Sequence, residues 1–356
     1  MRGILVAASV SLLLSLVGTP LVIRFFRQRG FGQLIRADGP QAHMSKRGTP
    51  TMGGTAMILS AITGYAVATA VIGRWSAGGA LAIGTFAGMG AVGFLDDYTK
   101  LRRNRNLGLT KTAKFGGQAL VAVAFAVGAQ YVASTSTKLS FIGTLDLDFG
   151  WTFPLFCFLI LAATSNAVNL TDGLDGLAAG TSALIFGAYT VIAFWIFRHG
   201  TATYSAGGIV SFTGDYSFEA WLHSDAIAIA AAATMGAALG FLWWNAPPAK
   251  IFMGDTGSLA IGGMLAALAV LTETELLLVI IGGLYVVETV SVIVQVLSFR
   301  LFGRRVFKMA PLHHHFELAG WQETTVIVRF WIIGGLAVAF GLGLFYAEFL
   351  ARVGPG

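Results

Sequence analysis

The chain is short of charge and almost without cysteine. Only 11% of its 356 residues are Asp, Glu, Lys or Arg, while 56% are hydrophobic, and the mean hydropathy is +0.75. That balance excludes an ordinary soluble globular domain. The one cysteine, Cys157, sits inside an apolar run, so neither a disulfide framework nor a thiolate metal site is available. No internal repeat is visible, which argues against a transporter built of two inverted halves. Strand-like alternation is also missing. The apolar segments run unbroken for about 20 residues, where a transmembrane barrel would alternate over about 10.

What is present is a series of such runs, and they predict an all-α polytopic membrane protein. The first, Gly3 to Ile23, is followed directly by Arg24, Arg27 and Arg29, as a stop-transfer flank would be, and lacks a signal-peptidase pattern. It reads as an uncleaved first span with its N-terminus outside. Further spans are expected near 52–73, 79–95, 112–133, 152–168, 176–197, 223–244, 257–271, 275–298 and 325–350. That makes ten spans in one integral membrane domain, 1–356, with both termini periplasmic. Lys and Arg crowd into alternate loops, through Arg36, Lys46, Arg47, Lys100, Arg102, Arg103, Lys111, Lys114, Lys250, Arg304 and Lys308. The positive-inside rule makes those loops cytoplasmic. The formal net charge of +6 therefore reflects topology and an anionic substrate rather than nucleic acid. On the outside, residues 134–150 carry two short alternating stretches around Gly143, which predict a small hairpin on the membrane. The other long outside loop, 199–222, carries no expected chemistry. Gly53-Gly54, Gly262-Gly263, Gly282-Gly283 and Gly334-Gly335 are expected to permit close helix packing.

Polar residues gather in islands at the ends of the apolar runs, all on the side assigned to the cytoplasm. In Phe94-Leu95-Asp96-Asp97-Tyr98 an apolar run ends in two adjacent carboxylates. Anions at the end of a lipid-buried helix are costly without a cation or a functional reason, and a helix C-terminus repels them further. The pair reads as a hard-cation site or a general base, and with oxygen ligands magnesium is the natural metal. A second island is Gly254-Asp255-Thr256-Gly257-Ser258, a plain N-cap or a helix start suited to phosphate, with Lys250 close by. In a third, Asn166, Asn169, Asp172 and Asp175 recur at steps of three; they form one polar stripe if helical, while Gly173 and Gly176 make a loop an equal choice. The fourth, His313-His314-His315, has the wrong spacing for structural zinc and suits contacts to phosphate or sugar oxygens. A basic loop from Lys46 to Gly54 could present Lys46 and backbone donors to a diphosphate.

Taken together, Asp96-Asp97, Asn-Leu-Thr-Asp-Gly-Leu-Asp-Gly from Asn169, Pro-Ala-Lys-Ile-Phe-Met-Gly-Asp-Thr-Gly-Ser-Leu from Pro248, and Pro-Leu-His-His-His-Phe-Glu from Pro311 resemble the polyprenyl-phosphate N-acetylhexosamine-1-phosphate transferases. The resemblance covers nearly the whole chain and is closest to the bacterial branch acting on muramoyl-pentapeptide. It implies transfer of phospho-MurNAc-pentapeptide from UDP-MurNAc-pentapeptide to undecaprenyl phosphate, giving lipid I and UMP, at the cytoplasmic face of the inner membrane. It also implies Mg2+ and a homodimer. Residue by residue, it implies Asp255 and Asp96 at the metal and Asp96, with Asp97, orienting or deprotonating the lipid phosphate. Asn166, Asn169, Asp172 and Asn245 would line the polar cleft. Gly173, Leu174, Asp175 and Phe252 would form the uridine pocket, and Lys46, Thr51, Gln295, His313 and His314 would contact the diphosphate or sugar. Two rivals remain: a sister enzyme making a polyprenyl diphosphate with N-acetylglucosamine, and an ion-coupled transporter, for which Glu288 inside the ninth span is the one fitting residue.

Overall fold

The computed structural model describes residues 1–30, 32, 48–103, 108–205 and 208–353; Lys46 lies outside the described residues. Ten of its helices are long and apolar enough to cross a membrane. They are α1 (Arg2–Gln28), α2 (Gly54–Ile72), α3 (Ala77–Arg102), α4 (Lys111–Tyr131), α5 (Phe153–Thr171), α6 (Leu177–Arg198), α8 (Ser224–Asn245), α9 (Gly254–Leu271), α11 (Gly283–Phe302) and α13 (Glu323–Val353). Three short helices stand between them: α7 (Phe218–Leu222), α10 (Glu275–Ile281) and α12 (Leu312–Leu318).

Two boundaries differ from the sequence reading. The helix expected to stop near residue 95 continues to Arg102, so Asp96 and Asp97 sit inside α3 rather than at its end. Nothing in Tyr98-Thr99-Lys100-Leu101 breaks a helix, and the shortfall came from equating the end of the apolar run with the end of the helix. The span expected over 275–298 is broken at Gly282-Gly283 into α10 and α11, because Gly282 leaves helical geometry there.

Between helices in lipid there is little hydrophobic driving force, so close backbone approach through small residues has to supply the packing. The seam of α1 and α8 shows this. A Cβ at Gly236 would drive into the Ala8 carbonyl oxygen, and one at Gly240 into that of Leu12. Along the same seam Ser15 Oγ donates to the Ala237 carbonyl at 2.8 Å, and Trp244 Nε1 to that of Leu16 at 2.8 Å. At the start of α9, Gly54 of α2 abuts the Gly257 amide and Gly93 of α3 abuts the Asp255 carbonyl. Gly262 lies against the Ser165 backbone of α5. These contacts wrap α9 until 89% of its most apolar window is buried, which makes it the hub of the bundle. Of the four glycine pairs, Gly53-Gly54 and Gly262-Gly263 are close contacts, whereas Gly335 faces open space.

The end of the bundle away from the α9 N-terminus carries the small β-structure. β1 (Lys138–Ser140) and β2 (Thr144–Asp148) form the antiparallel hairpin expected around Gly143, with Ser140 opposite Thr144. The Gly143 amide donates to the Glu273 carbonyl just past α9, which ties the hairpin to that end. The 199–222 segment forms a second hairpin, β3 (Gly200–Ser205) and β4 (Gly208–Gly214), followed by α7, whose Ser217 donates to Glu273 Oε2 at 2.9 Å.

Replacing Gly236 by Ala is expected to destabilise the protein by about 1–3 kcal/mol, the usual cost of overpacking against backbone that cannot yield. Gly18→Ala in α1, where a Cβ meets nothing within 4 Å, is expected to leave stability unchanged or raise it. Thermal unfolding of the two variants in detergent checks this, and equal melting temperatures would rule out the tight α1–α8 seam.

Candidate active site

The first contact that builds the site is a helix cap supplied from a distance. Helix α9 begins at Gly254 with its first backbone N–H groups unsatisfied by the helix itself. Asp97 of α3 fills that need: its Oδ2 accepts from the Thr256 amide at 2.9 Å and from Thr256 Oγ1 at 2.8 Å. The carboxylate also meets the positive end of the α9 dipole. Gly254 has φ +71°, and a side chain there would run into Asp97 Oδ2, so only glycine admits the cap. The same approach brings Asp255, the second residue of α9, beside Asp96 and Asp97. One oxygen from each of the three carboxylates falls within 4.8 Å of the others.

Two lysines hold this charge. Lys100, one turn beyond the pair on α3, places Nζ 2.7 Å from Asp96 Oδ2, 3.1 Å from Asp255 Oδ2 and 3.4 Å from Asp97 Oδ1. Lys114, in the first turn of α4, donates to Asp255 Oδ2 at 2.6 Å. Asn169 near the end of α5 donates to Asp255 Oδ1 and to Ser258 Oγ, each at 2.8 Å. Asp96 Oδ1 accepts from the Leu109 amide at 2.8 Å, which draws the segment before α4 onto the cluster. In the sequence Lys100 and Lys114 read only as flanking positive charge. The i,i+3 and i,i+4 spacing of Lys100 to the two aspartates was a usable signal once the helix was known to continue; Lys114 left no local one.

Around this centre the expected substrate residues divide. Asp172, just past the end of α5, makes no side-chain hydrogen bond among the described residues. Its carboxyl is pushed well above the ordinary carboxylate range, first by burial and then by the charges of Asp255, Asp97 and Asp175. Thr51 is buried at the α9 start, close to Gly254. The helix ends at Thr171, so the stripe of four polar residues is half helix and half turn. Asn166 spends its amide on the Ala162 carbonyl in the preceding turn, at 2.7 Å.

Several others hold backbone rather than face an opening. Asn245 accepts from the Gly176 amide at 3.1 Å and donates to the Ile251 carbonyl at 3.0 Å. Asp175 Oδ2 accepts from the Ala249 amide at 2.9 Å, while its own amide donates to Glu323 Oε1 at 3.0 Å. These bonds fasten the turn after α5 to the loop between α8 and α9. Leu174 is buried in a small core with Leu177, Leu284 and Phe330, and Phe252, half-buried, exchanges backbone bonds with Pro50 and Gly53. Gln295 clamps the loop after α11, accepting from the Val306 and Phe307 amides and donating to the Phe307 carbonyl.

The histidines of α12 separate in the same way. His313 is fully buried, with Nδ1 3.2 Å from Glu288 Oε2 of α11, itself fully buried, and with Nε2 turned toward Gly173. His314 Nδ1 lies 2.6 Å from Glu317 Oε2, and His315 Nδ1 accepts from the Lys308 amide at 3.1 Å. Glu288 is thus a partner for His313 next to the Asp172-Gly173 turn. All four islands meet at one end of the bundle. The all-oxygen donor set of Asp96, Asp97 and Asp255 suits a hard divalent cation such as magnesium, and two ammonium groups already lie against it.

Residues 80–273 match the model of the family described as Glycosyl transferase family 4. The chain is 56% identical over 362 residues to the phospho-N-acetylmuramoyl-pentapeptide-transferase of Frankia casuarinae, covering 99% of this chain and 100% of that protein. It is 53% identical over 367 residues to the enzyme of that name from Streptomyces griseus, and 50% over 369 residues to that from Rhodococcus opacus, in each case over 99% of this chain and 100% of the relative. On both grounds the chain belongs to glycosyl transferase family 4 and, within it, to the phospho-N-acetylmuramoyl-pentapeptide transferases.

Proposed function

We propose that this protein transfers phospho-MurNAc-pentapeptide from UDP-MurNAc-pentapeptide to undecaprenyl phosphate, forming lipid I and releasing UMP, the first membrane step of peptidoglycan synthesis. An oxygen of the lipid phosphate attacks the sugar-bearing phosphorus of the donor. The bond from that phosphorus to the bridging oxygen breaks, and UMP leaves with the bridging oxygen. The observation that carries this reading is the meeting of Asp96, Asp97 and Asp255 at one end of an apolar bundle, with Lys100 and Lys114 against them. A water-soluble anionic donor and a lipid acceptor can share only a place where water and hydrocarbon adjoin, and helix ends provide it.

In phosphoryl transfer the protein chiefly positions the reactants and offsets charge. Asp255, held by Asn169 and Lys114, and Asp96, held by the Leu109 amide, are the residues that would hold Mg2+. Bound there, the ion would neutralise the diphosphate. Asp96 orients or deprotonates the lipid phosphate. Asp97, whose Oδ2 is occupied by Thr256, acts mainly by fixing α9, and keeps Oδ1 toward the cluster. Asn169 and Asp172 line the cleft, Gly173 and half-buried Phe252 receive uridine, and His314 faces diphosphate or sugar. Thr51, Asn166, Leu174, Asp175, Asn245, Gln295 and His313 support those surfaces from behind. The Lys and Arg bias of the loops supports an orientation with this end in the cytoplasm and both termini in the periplasm, in the bacterial inner membrane. A homodimer is the working assembly.

Supplied with undecaprenyl phosphate and either UDP-MurNAc-pentapeptide or UDP-N-acetylglucosamine, the purified protein is expected to release UMP only from the first. Equal use of UDP-N-acetylglucosamine would favour the sister transferase.

Asp255→Asn is expected to abolish turnover and magnesium-dependent activity while leaving the protein folded. A variant that turns over near the normal rate with the same magnesium dependence would refute the assignment of the metal to Asp255.

Asp97→Ala is expected to lower stability by about 1 kcal/mol, the typical worth of an N-cap, and Asp96→Ala to do so by less, though both lose activity. Thermal unfolding separates the two roles: an Asp97 variant as stable as the native protein would show that the cap is not what Asp97 supplies.

A further inference from the structure

Helix α11 is the least embedded of the ten spans, with 22% of its most apolar window buried, and its last turns stand clear of the bundle. Beyond Ser291 no residue of the helix is buried. Leu297, Phe299, Leu301 and Phe302 are more than half exposed and point to different sides of the helix. The tip is nevertheless a built structure. Gly303 ends the helix at φ +64°, Ser298 Oγ donates to the Arg304 carbonyl at 2.9 Å, and Gln295 makes three bonds to residues 306 and 307. On this fixed turn Arg300, Arg304 and Arg305 are exposed beside Phe302 and Val306. Among the described residues, no carboxylate lies within ion-pair distance of any of the three.

We infer that the α11 tip is a docking surface for the anionic phospholipid headgroups of the bilayer leaflet on the active-site side. The apolar side chains reach the level of the acyl chains, and three guanidinium groups with no carboxylate partner among the described residues stand where phosphodiesters lie. Arginine presents a planar fork that takes phosphate in two parallel hydrogen bonds. Basic residues beside a membrane are attracted to an anionic surface. Charge complementarity favours lipid over a second copy of the tip, since a symmetric pairing would set arginines against arginines with no acid between. Exposed Trp243 near the end of α8, on this same end of the bundle, sits as an interfacial aromatic would at that depth.

The test uses the whole protein in nanodiscs. Cys157 is fully buried, so Val306→Cys gives one accessible thiol for an environment-sensitive fluorophore. In discs of phosphatidylcholine with about a third phosphatidylglycerol, the probe is expected to be blue-shifted and quenched by lipids brominated near the headgroup, more than in phosphatidylcholine alone. High salt should weaken the difference. Adding Arg300→Gln, Arg304→Gln and Arg305→Gln is expected to remove the dependence on lipid charge at unchanged melting temperature. The inference fails if the probe responds equally in neutral and anionic discs, if the response follows protein density rather than lipid charge, or if the triple variant keeps it. None of these readouts uses transferase activity, so the outcome stands apart from the reading of the catalytic centre.

Discussion

The architecture of the reactive end depends on one carboxylate capping a helix it does not belong to. Asp97 on α3 binds the Thr256 amide and hydroxyl at the start of α9. Because Asp96 precedes it and Asp255 precedes Thr256, that single junction fixes the distance between the other two acidic groups. Glycine at 54, 93 and 254 makes the junction possible, since each lies where a Cβ would strike the α9 start or the capping carboxylate. A cap, a close backbone approach and a cluster of negative charge are thus one arrangement. Moving any part by an ångström moves all three carboxylates.

That arrangement is electrostatically expensive by itself. Two charges within 4.8 Å of each other repel by roughly 3 kcal/mol or more at an effective dielectric constant near 20. Lys100 and Lys114 answer the repulsion from two helices, one from the helix of Asp96 and Asp97 and the other from α4, and both reach Asp255 Oδ2. Three acidic side chains share two ammonium groups there, and the Asp172 carboxyl at the end of α5 is pushed well above the ordinary carboxylate range by burial and by their charges. The all-oxygen donor set is of the kind a hard divalent cation takes. The two lysines hold the three carboxylates together.

Much of this could be seen in the sequence, and the part that could not has physical reasons. Nine of the ten apolar runs fold as single long helices and the run over 275–298 as a pair broken at Gly282-Gly283, while the alternating stretches around Gly143 form a hairpin, because hydrophobic period reports local structure directly. The four polar islands were visible because polar residues interrupt a lipid-facing composition only at a cost. What sequence could not separate was the side chains that face an opening from those that brace it. Asn245, Asp175 and Gln295 stand in the same motifs as Asn169 and Asp255, yet their polar atoms are bonded to backbone from other segments. Lys114 and Glu288 were underrated for the converse reason. Each acts through a partner more than twenty residues away, and no local period encodes that distance.

The least and the most buried helices complete the logic. Helix α9 is enclosed along its length because its first turn carries Asp255, and a group held by three neighbours needs a helix that cannot shift. Helix α11 bears no member of the carboxylate cluster. It contributes Glu288 to His313 from its buried half and Gln295 to the following loop, while its other half stands free. Packing is therefore graded across the bundle, tightest around the helix that carries Asp255 and loosest along the half of α11 beyond Ser291. On the proposed function, the lipid acceptor reaches the cluster from the hydrocarbon side, and a bundle uniformly as tight as the α9 surround would shut it out.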